Sequence, residues 1–118
     1  MEIKVRTIGN CQILDLYGQL VLGAATMKLR TTVHEAAKTN HGRIVVNLGK
    51  VAYMDTPGLG ELVGNYSHVK KLGRKLVLLN PQDKTMSLLI RTKLEAVFDI
   101  FHDEASAVSD SRPNAVPA

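Results

Sequence analysis

The residues whose types and spacing point to chemistry stand together in Asp55-Thr56-Pro57-Gly58-Leu59-Gly60, with Gly64 one helical turn further on. Apolar runs lead into this stretch, and a helix-like pattern follows at once. A hydroxyl at a helix start lies in the positive end of the helix dipole, where free backbone N–H groups can hold a phosphate. Glycines lack side chains and leave room for a partner's backbone to approach. The same residues suit a structural task. Proline is favoured at the first helical position and pushes the residue before it into extended geometry. Threonine is a good N-cap. The expectation is that Thr56 caps the helix, contributing about 1 kcal/mol, with Pro57 as the first helical residue. Cap and phosphoacceptor are compatible roles for one hydroxyl.

Other chemistries find less support. His34, His41, His68 and His102 show no ligand spacing, and Cys11 has no CxxC partner. Nothing singles out a nucleophile with its base. The spacing Gly58-x-Gly60-x-x-x-Gly64 superficially matches a dinucleotide fingerprint. The strand before it is short, however, the next strand ends in Asn80 instead of an acid, and no GxxxxGK[ST] element occurs. A nucleotide-binding protein is therefore the third reading.

The chain of 118 residues suits one domain, and its formal charge is +4. Tryptophan is absent and aromatics are few, so stacking surfaces for single-stranded nucleic acid are scarce. Lys70, Lys71, Arg74 and Lys75 cluster where a helix should end; cations there complement the helix dipole. The single cysteine permits no internal disulfide, as in a reducing compartment. Cys11 reads as a buried thiol on a strand. No N-terminal signal pattern or apolar run of roughly 20 residues appears. The expectation is a cytoplasmic protein without direct nucleic-acid or membrane contact.

The elements that must position the motif follow from periodicity. Residues 2–8 alternate as a half-buried strand, Gly9-Asn10 turns the chain, and residues 11–17 return, with Gly18 ending the strand. Residues 24–38 form a helix burying Ala25, Leu29, Val33 and Ala36, with Asn40-His41-Gly42 as its stop. Residues 43–48 and 51–54 read as two strands. A second helix buries Leu59, Leu62, Val63, Tyr66 and Val69. Residues 75–79 form a buried strand, and a third helix over 82–93 points Met86, Leu89 and Ile90 inward. Residues 97–101 make a last strand, and Asp103 caps a brief terminal helix. The order ββαββαβαβα implies an α/β fold with parallel pairs. The runs Ile44–Leu48 and Leu76–Leu79 lack polar alternation and belong in the sheet centre.

The stretch "VVNLGKVAYMDTPGLGELVGNY" resembles the signature of bacterial anti-sigma factor antagonists, the single-domain STAS proteins. Their pattern is an apolar strand, then Asp-Ser-Ser/Thr-Gly-Leu-Gly, then a helix. The resemblance runs from the first hairpin to "VFDIFHDEASAV". It implies a STAS-type mixed β-sheet with helices packed mainly on one face, over residues 1–108; the polar, proline-containing stretch at 109–118 reads as a flexible tail. The resemblance implies a non-enzymatic regulator without a cofactor. The partner would be an anti-sigma factor kinase that phosphorylates the hydroxyl after the aspartate, here Thr56, and a PP2C-type phosphatase would reset it. Unphosphorylated, the protein would bind the kinase and free a sigma factor. Asp55, Thr56, Pro57, Gly58, Leu59 and Gly60 would form the partner-binding segment. Some related domains are unphosphorylated scaffolds or transport-complex subunits, which is the second reading. The chain differs from the usual pattern at Thr56, where serine is common, and at Pro57, where a small hydroxyl residue is common. It also has Gly18-Gln19-Leu20-Val21 for Gly-Glu-Leu-Asp, and Asn47-Leu48 for Asp-Leu.

Overall fold

Five strands make one sheet in the order β1-β2-β3-β4-β5, in a computed structural model that describes residues 1–39 and 42–109. The strands are β1 (Glu2–Ile8), β2 (Cys11–Leu20), β3 (Ile44–Met54), β4 (Leu76–Leu79) and β5 (Ile100–Phe101). The helices are α1 (Ala24–Thr39), α2 (Thr56–Lys71), α3 (Asp83–Arg91) and α4 (Glu104–Ser109), with a 3-10 turn at Leu94–Ala96. Asn40 and His41 of the expected stop signal lie outside the described residues. So does the expected tail, apart from Ser109, which ends α4.

The hairpin forms as its sequence requires. Ile8 pairs with Cys11 across a two-residue turn, and Gly9 takes φ +58°, a left-handed conformation that favours glycine. The β1–β2 pair is antiparallel, and every later pair is parallel. The two unalternating runs lie inside the sheet, β3 between β2 and β4, and β4 between β3 and β5. Their alternate residues feed two cores. Ile44, Val46, Leu48, Leu76 and Leu78 join Leu14 and Leu16 under Leu29 and Val33 of α1, Leu59, Leu62 and Val69 of α2, and Leu89 of α3. Val45, Val77, Leu79 and Ile13 point to the other face, which α4 covers through Ala107. Three of the four helices thus share one face, because the period-two strand pattern is apolar on both sides but the larger core lies on one.

Several boundaries differ from the sequence reading. The strands expected at 43–48 and 51–54 are one strand, and β2 continues past Gly18 beside it. β3 carries one extra residue opposite Asp15–Tyr17 and another opposite Gly18–Gln19, so bulges absorb Gly49 without ending the ladder. Gly18 adopts φ +121°, which lets β2 pass the second irregularity. The last strand shrinks to two residues. Phe98 turns into the main core and meets Tyr66 edge-on, with ring centroids 5.2 Å apart. The chain therefore reaches the sheet only afterwards. On α3, Thr85 is buried while Ile90 is exposed, so the helix is rotated from the expected face. The Arg74 side chain serves the end of α1 and not that of α2. Its guanidinium donates to the Ala36 carbonyl at 3.0 Å and to the Gly42 carbonyl at 2.9 and 2.7 Å.

Candidate functional site at the start of helix α2

The N-cap of α2 is Asp55, one residue earlier than expected. Its backbone is extended, at φ −91° and ψ 175°, and its carbonyl accepts the first helical bond from the Leu59 N–H at 3.0 Å. Oδ1 accepts from the Gly58 N–H at 2.7 Å, and Oδ2 accepts from the Leu22 N–H at 3.1 Å. Pro57 is then the second helical residue, where its missing N–H still costs no helical bond. The bias against helical geometry before proline is outweighed. Aspartate caps at least as well as threonine, and here it also ties down the β2–α1 loop through Leu22.

This frees Thr56. It is the first residue of α2 and exposed. Among the described residues, none hydrogen-bonds to its hydroxyl. The cap that the sequence reading placed on Thr56 is thus supplied by Asp55.

The glycines separate as well. Gly58 is buried. A methyl group built on it would collide with the Leu20 carbonyl oxygen and stand 3.1 Å from Asp55 Oδ1. Its lack of a side chain is required by the fold itself, which seats the first turn of α2 on the end of β2. Gly60 is exposed and would meet nothing within 4 Å. Gly64 is also open in this sense. Leu59 is buried and anchors the helix in the core, while Pro57 stays exposed beside Thr56.

Two depressions flank the motif. A groove of about 440 Å³ between α1 and α2 is lined by Leu22, Arg30, Pro57, Gly60, Glu61 and Gly64, among others. Arg30 spans it to Glu61, with contacts of 2.7 and 3.2 Å. Near its far end His34 and His68 stack with ring centroids 3.7 Å apart, a pairing across two helices that their sequence spacing does not reveal. On the α3 side a cleft of about 390 Å³ joins Tyr53, Asp55 and Thr56 to Lys84, Ser87 and Arg91. Leu22, at 71% exposure, and Tyr53, at 48%, add apolar surface to the hydrophilic motif. Sequence reasoning missed both. Leu22 could have been flagged as an apolar residue in the loop just before Gly23.

The family model of the STAS domain matches residues 2–107. The chain belongs to the STAS domain family. A curated member, the anti-sigma-B factor antagonist of Bacillus subtilis, is 42% identical over 53 residues, covering 45% of this chain and 49% of that protein. The matched stretch therefore spans about half of that relative. Among solved structures, a Thermotoga maritima protein described as a candidate anti-sigma factor antagonist superposes with TM-score 0.84 at 19% identity, covering 93% of this chain and 94% of that one. The anti-sigma factor antagonist SpoIIAA in its unphosphorylated form gives TM-score 0.76 at 18% identity, over 92% and 94% of the two chains. The same STAS fold occurs in the murine anion transporter Slc26a9, at TM-score 0.77 and 15% identity, where it matches 19% of that chain. These structural likenesses establish the fold. No described helix of this STAS domain is long and apolar enough to cross a membrane.

The Asn47 departure now has a local explanation. Asn47 Nδ2 donates to Asp15 Oδ1 at 2.8 Å, and its Oδ1 accepts from the Gly49 N–H at 3.0 Å. Asp15 also accepts from Arg6, which reaches Glu104 of α4 at 2.6 Å. An aspartate at 47 would face Asp15 with like charge. The amide thus belongs to a network under α4, on the sheet face opposite α2.

Proposed function

We propose that this STAS domain is an anti-sigma factor antagonist. It binds an anti-sigma factor serine/threonine kinase through the start of α2 and the loops beside it, and so releases a sigma factor. Phosphorylation of Thr56 switches the binding off, and a PP2C-type phosphatase restores it. The domain itself carries out no catalysis.

The observation that carries this reading is the free Thr56 hydroxyl. It is exposed at the first turn of α2 and unused by the cap, which Asp55 supplies. The phosphorylated and unphosphorylated forms of the structural relative SpoIIAA and the name of the Bacillus subtilis relative support it. Gly60, with open space above it, and exposed Leu22, Pro57 and Tyr53 support a protein partner at the same place. A phosphate adds about −1.5 to −2 charge. A close interface would have to desolvate it, at a cost of several kcal/mol if uncompensated.

The test is mass spectrometry of the wild-type domain and of Thr56→Ala after co-expression with the kinases of the native cell. Calorimetric titration of each form against the kinase that modifies it would follow. Phosphate on Thr56 with loss of binding is the expected result. A domain that acquires no phosphate on Thr56, or that binds its partner as tightly with that phosphate as without it, would instead be a constitutive scaffold.

A further inference from the structure

We infer that Lys84 and Arg91 of α3 form a built-in receptor for the phosphoryl group on Thr56, holding it in the cleft between α2 and α3. The inference rests on the Thr56 switch and names how the modified state is held.

The cleft has one wall of the right chemistry. Lys84, Ser87 and Arg91 are spaced three and four residues apart and so share one face of α3. All three are exposed, and neither Lys84 nor Arg91 has an ion-pair partner among the described residues. Thr56 and Tyr53 stand opposite, in the same cleft of about 390 Å³. Asp55 is the one acid lining it among the described residues, and its two oxygens accept from the Gly58 and Leu22 N–H groups. Two cations without an ion-pair partner of their own, against the single charge of Asp55, therefore line the same cleft as a hydroxyl with no hydrogen-bond partner. With Asp55 counted the cleft carries about +1, and a phosphate of about −1.5 to −2 charge is offset by it in large part. Arginine offers a planar fork suited to phosphate oxygens, lysine a mobile point charge, and Ser87 a neutral donor. The modified state would thereby be clamped between α2 and α3, with much of its charge offset within the domain.

Phosphothreonine placed at position 56 by genetic-code expansion makes the experiment independent of any kinase. ³¹P NMR titration of that protein is compared with the same protein carrying Lys84→Ala and Arg91→Ala. Alanine suits an exposed helix position, and circular dichroism checks that both are folded. Tyr53 and Asp55, the other titratable groups lining the cleft, are common to both. The second phosphate pKa is expected to be lower in the intact protein by about 0.5–1 unit, at the small end of an opposite-charge effect because the cleft is open. Lys84→Arg should keep the shift. If the two proteins titrate alike, Lys84 and Arg91 do not hold the phosphate and the inference is overturned. Calorimetry of the same phosphorylated protein against the kinase judges the switch separately, because binding can be lost with or without the clamp.

Discussion

Gly58, in the first turn of α2, lies against the carbonyl of Leu20 at the end of β2. The start of the helix is thereby seated on the sheet, and Asp55 holds it there from the other side through the Leu22 and Gly58 N–H groups. Thr56 and Pro57 are exposed on the helix start so held.

Gly58→Ala is expected to destabilise the domain by about 1–3 kcal/mol, the usual cost of forcing a methyl group into a packed site. Gly60→Ala should be neutral or stabilising by about 0.5–1 kcal/mol, since it adds helix propensity in open space. Urea denaturation of the two variants separates them. Equal midpoints would mean that the α2–β2 contact is looser than described.

The cap makes a second contrast. Asp55→Ala loses hydrogen bonds to two backbone N–H groups and should cost about 1–2 kcal/mol. Thr56→Ala should stay within about 0.5 kcal/mol of wild type, as for a surface substitution away from special features. The reverse order in thermal denaturation would return the cap to Thr56.

Binding is the third. Thr56→Glu should weaken association with the cognate anti-sigma factor kinase by at least about tenfold, or 1.4 kcal/mol, while Thr56→Ala binds but accepts no phosphate. Gly60→Phe should also block binding while remaining folded, which Gly58→Phe would not. Calorimetry on variants shown folded by circular dichroism gives the answer. A folded Thr56→Glu protein that binds as tightly as wild type removes the switch and leaves the scaffold.

Acid stability depends on Asp15. Burial opposes its ionisation, but hydrogen bonds from Arg6 and Asn47 and the Arg6 charge outweigh this, so its pKa lies below the usual 3.8. The folded state then binds the proton less readily than the unfolded chain. The stabilisation is present above the usual aspartate value and is lost as pH falls through the folded one. Asp15→Asn should therefore lower stability at neutral pH and flatten its decline below about pH 4. It should not abolish that decline, because Asp103, accepting from the Ser106 backbone N–H and hydroxyl, shifts in the same direction. Denaturant midpoints measured at several pH values report the slope.

Arg74→Met should cost about 2–3 kcal/mol, because the Ala36 and Gly42 carbonyls lose their guanidinium donor. Arg74→Lys should recover only part of this, since an ammonium cannot reproduce the planar fork. Full recovery in chemical denaturation would show that charge alone suffices.

Much of this protein was legible in one dimension, wherever a local pattern carries the physics. Alternation placed the hairpin and 3.6-residue periodicity the three long helices, because the sides of those elements differ in polarity, while the unbroken apolar runs placed the two central strands. The motif announced itself because acid, hydroxyl, proline and glycines rarely meet between a strand and a helix. Only the tertiary structure decided how the labour is divided within it. Asp55 became the cap because Leu22, thirty-three residues earlier, brings a second N–H to its carboxylate. Gly58 became a packing residue because β2 runs on to Leu20 and places a carbonyl beneath it. The stacked His34 and His68, the Asp15–Asn47 pair and the reach of Arg74 to α1 are likewise meetings of distant segments. No periodicity encodes them, because a contact between elements depends on how the sheet orders its strands and on which face each helix is laid.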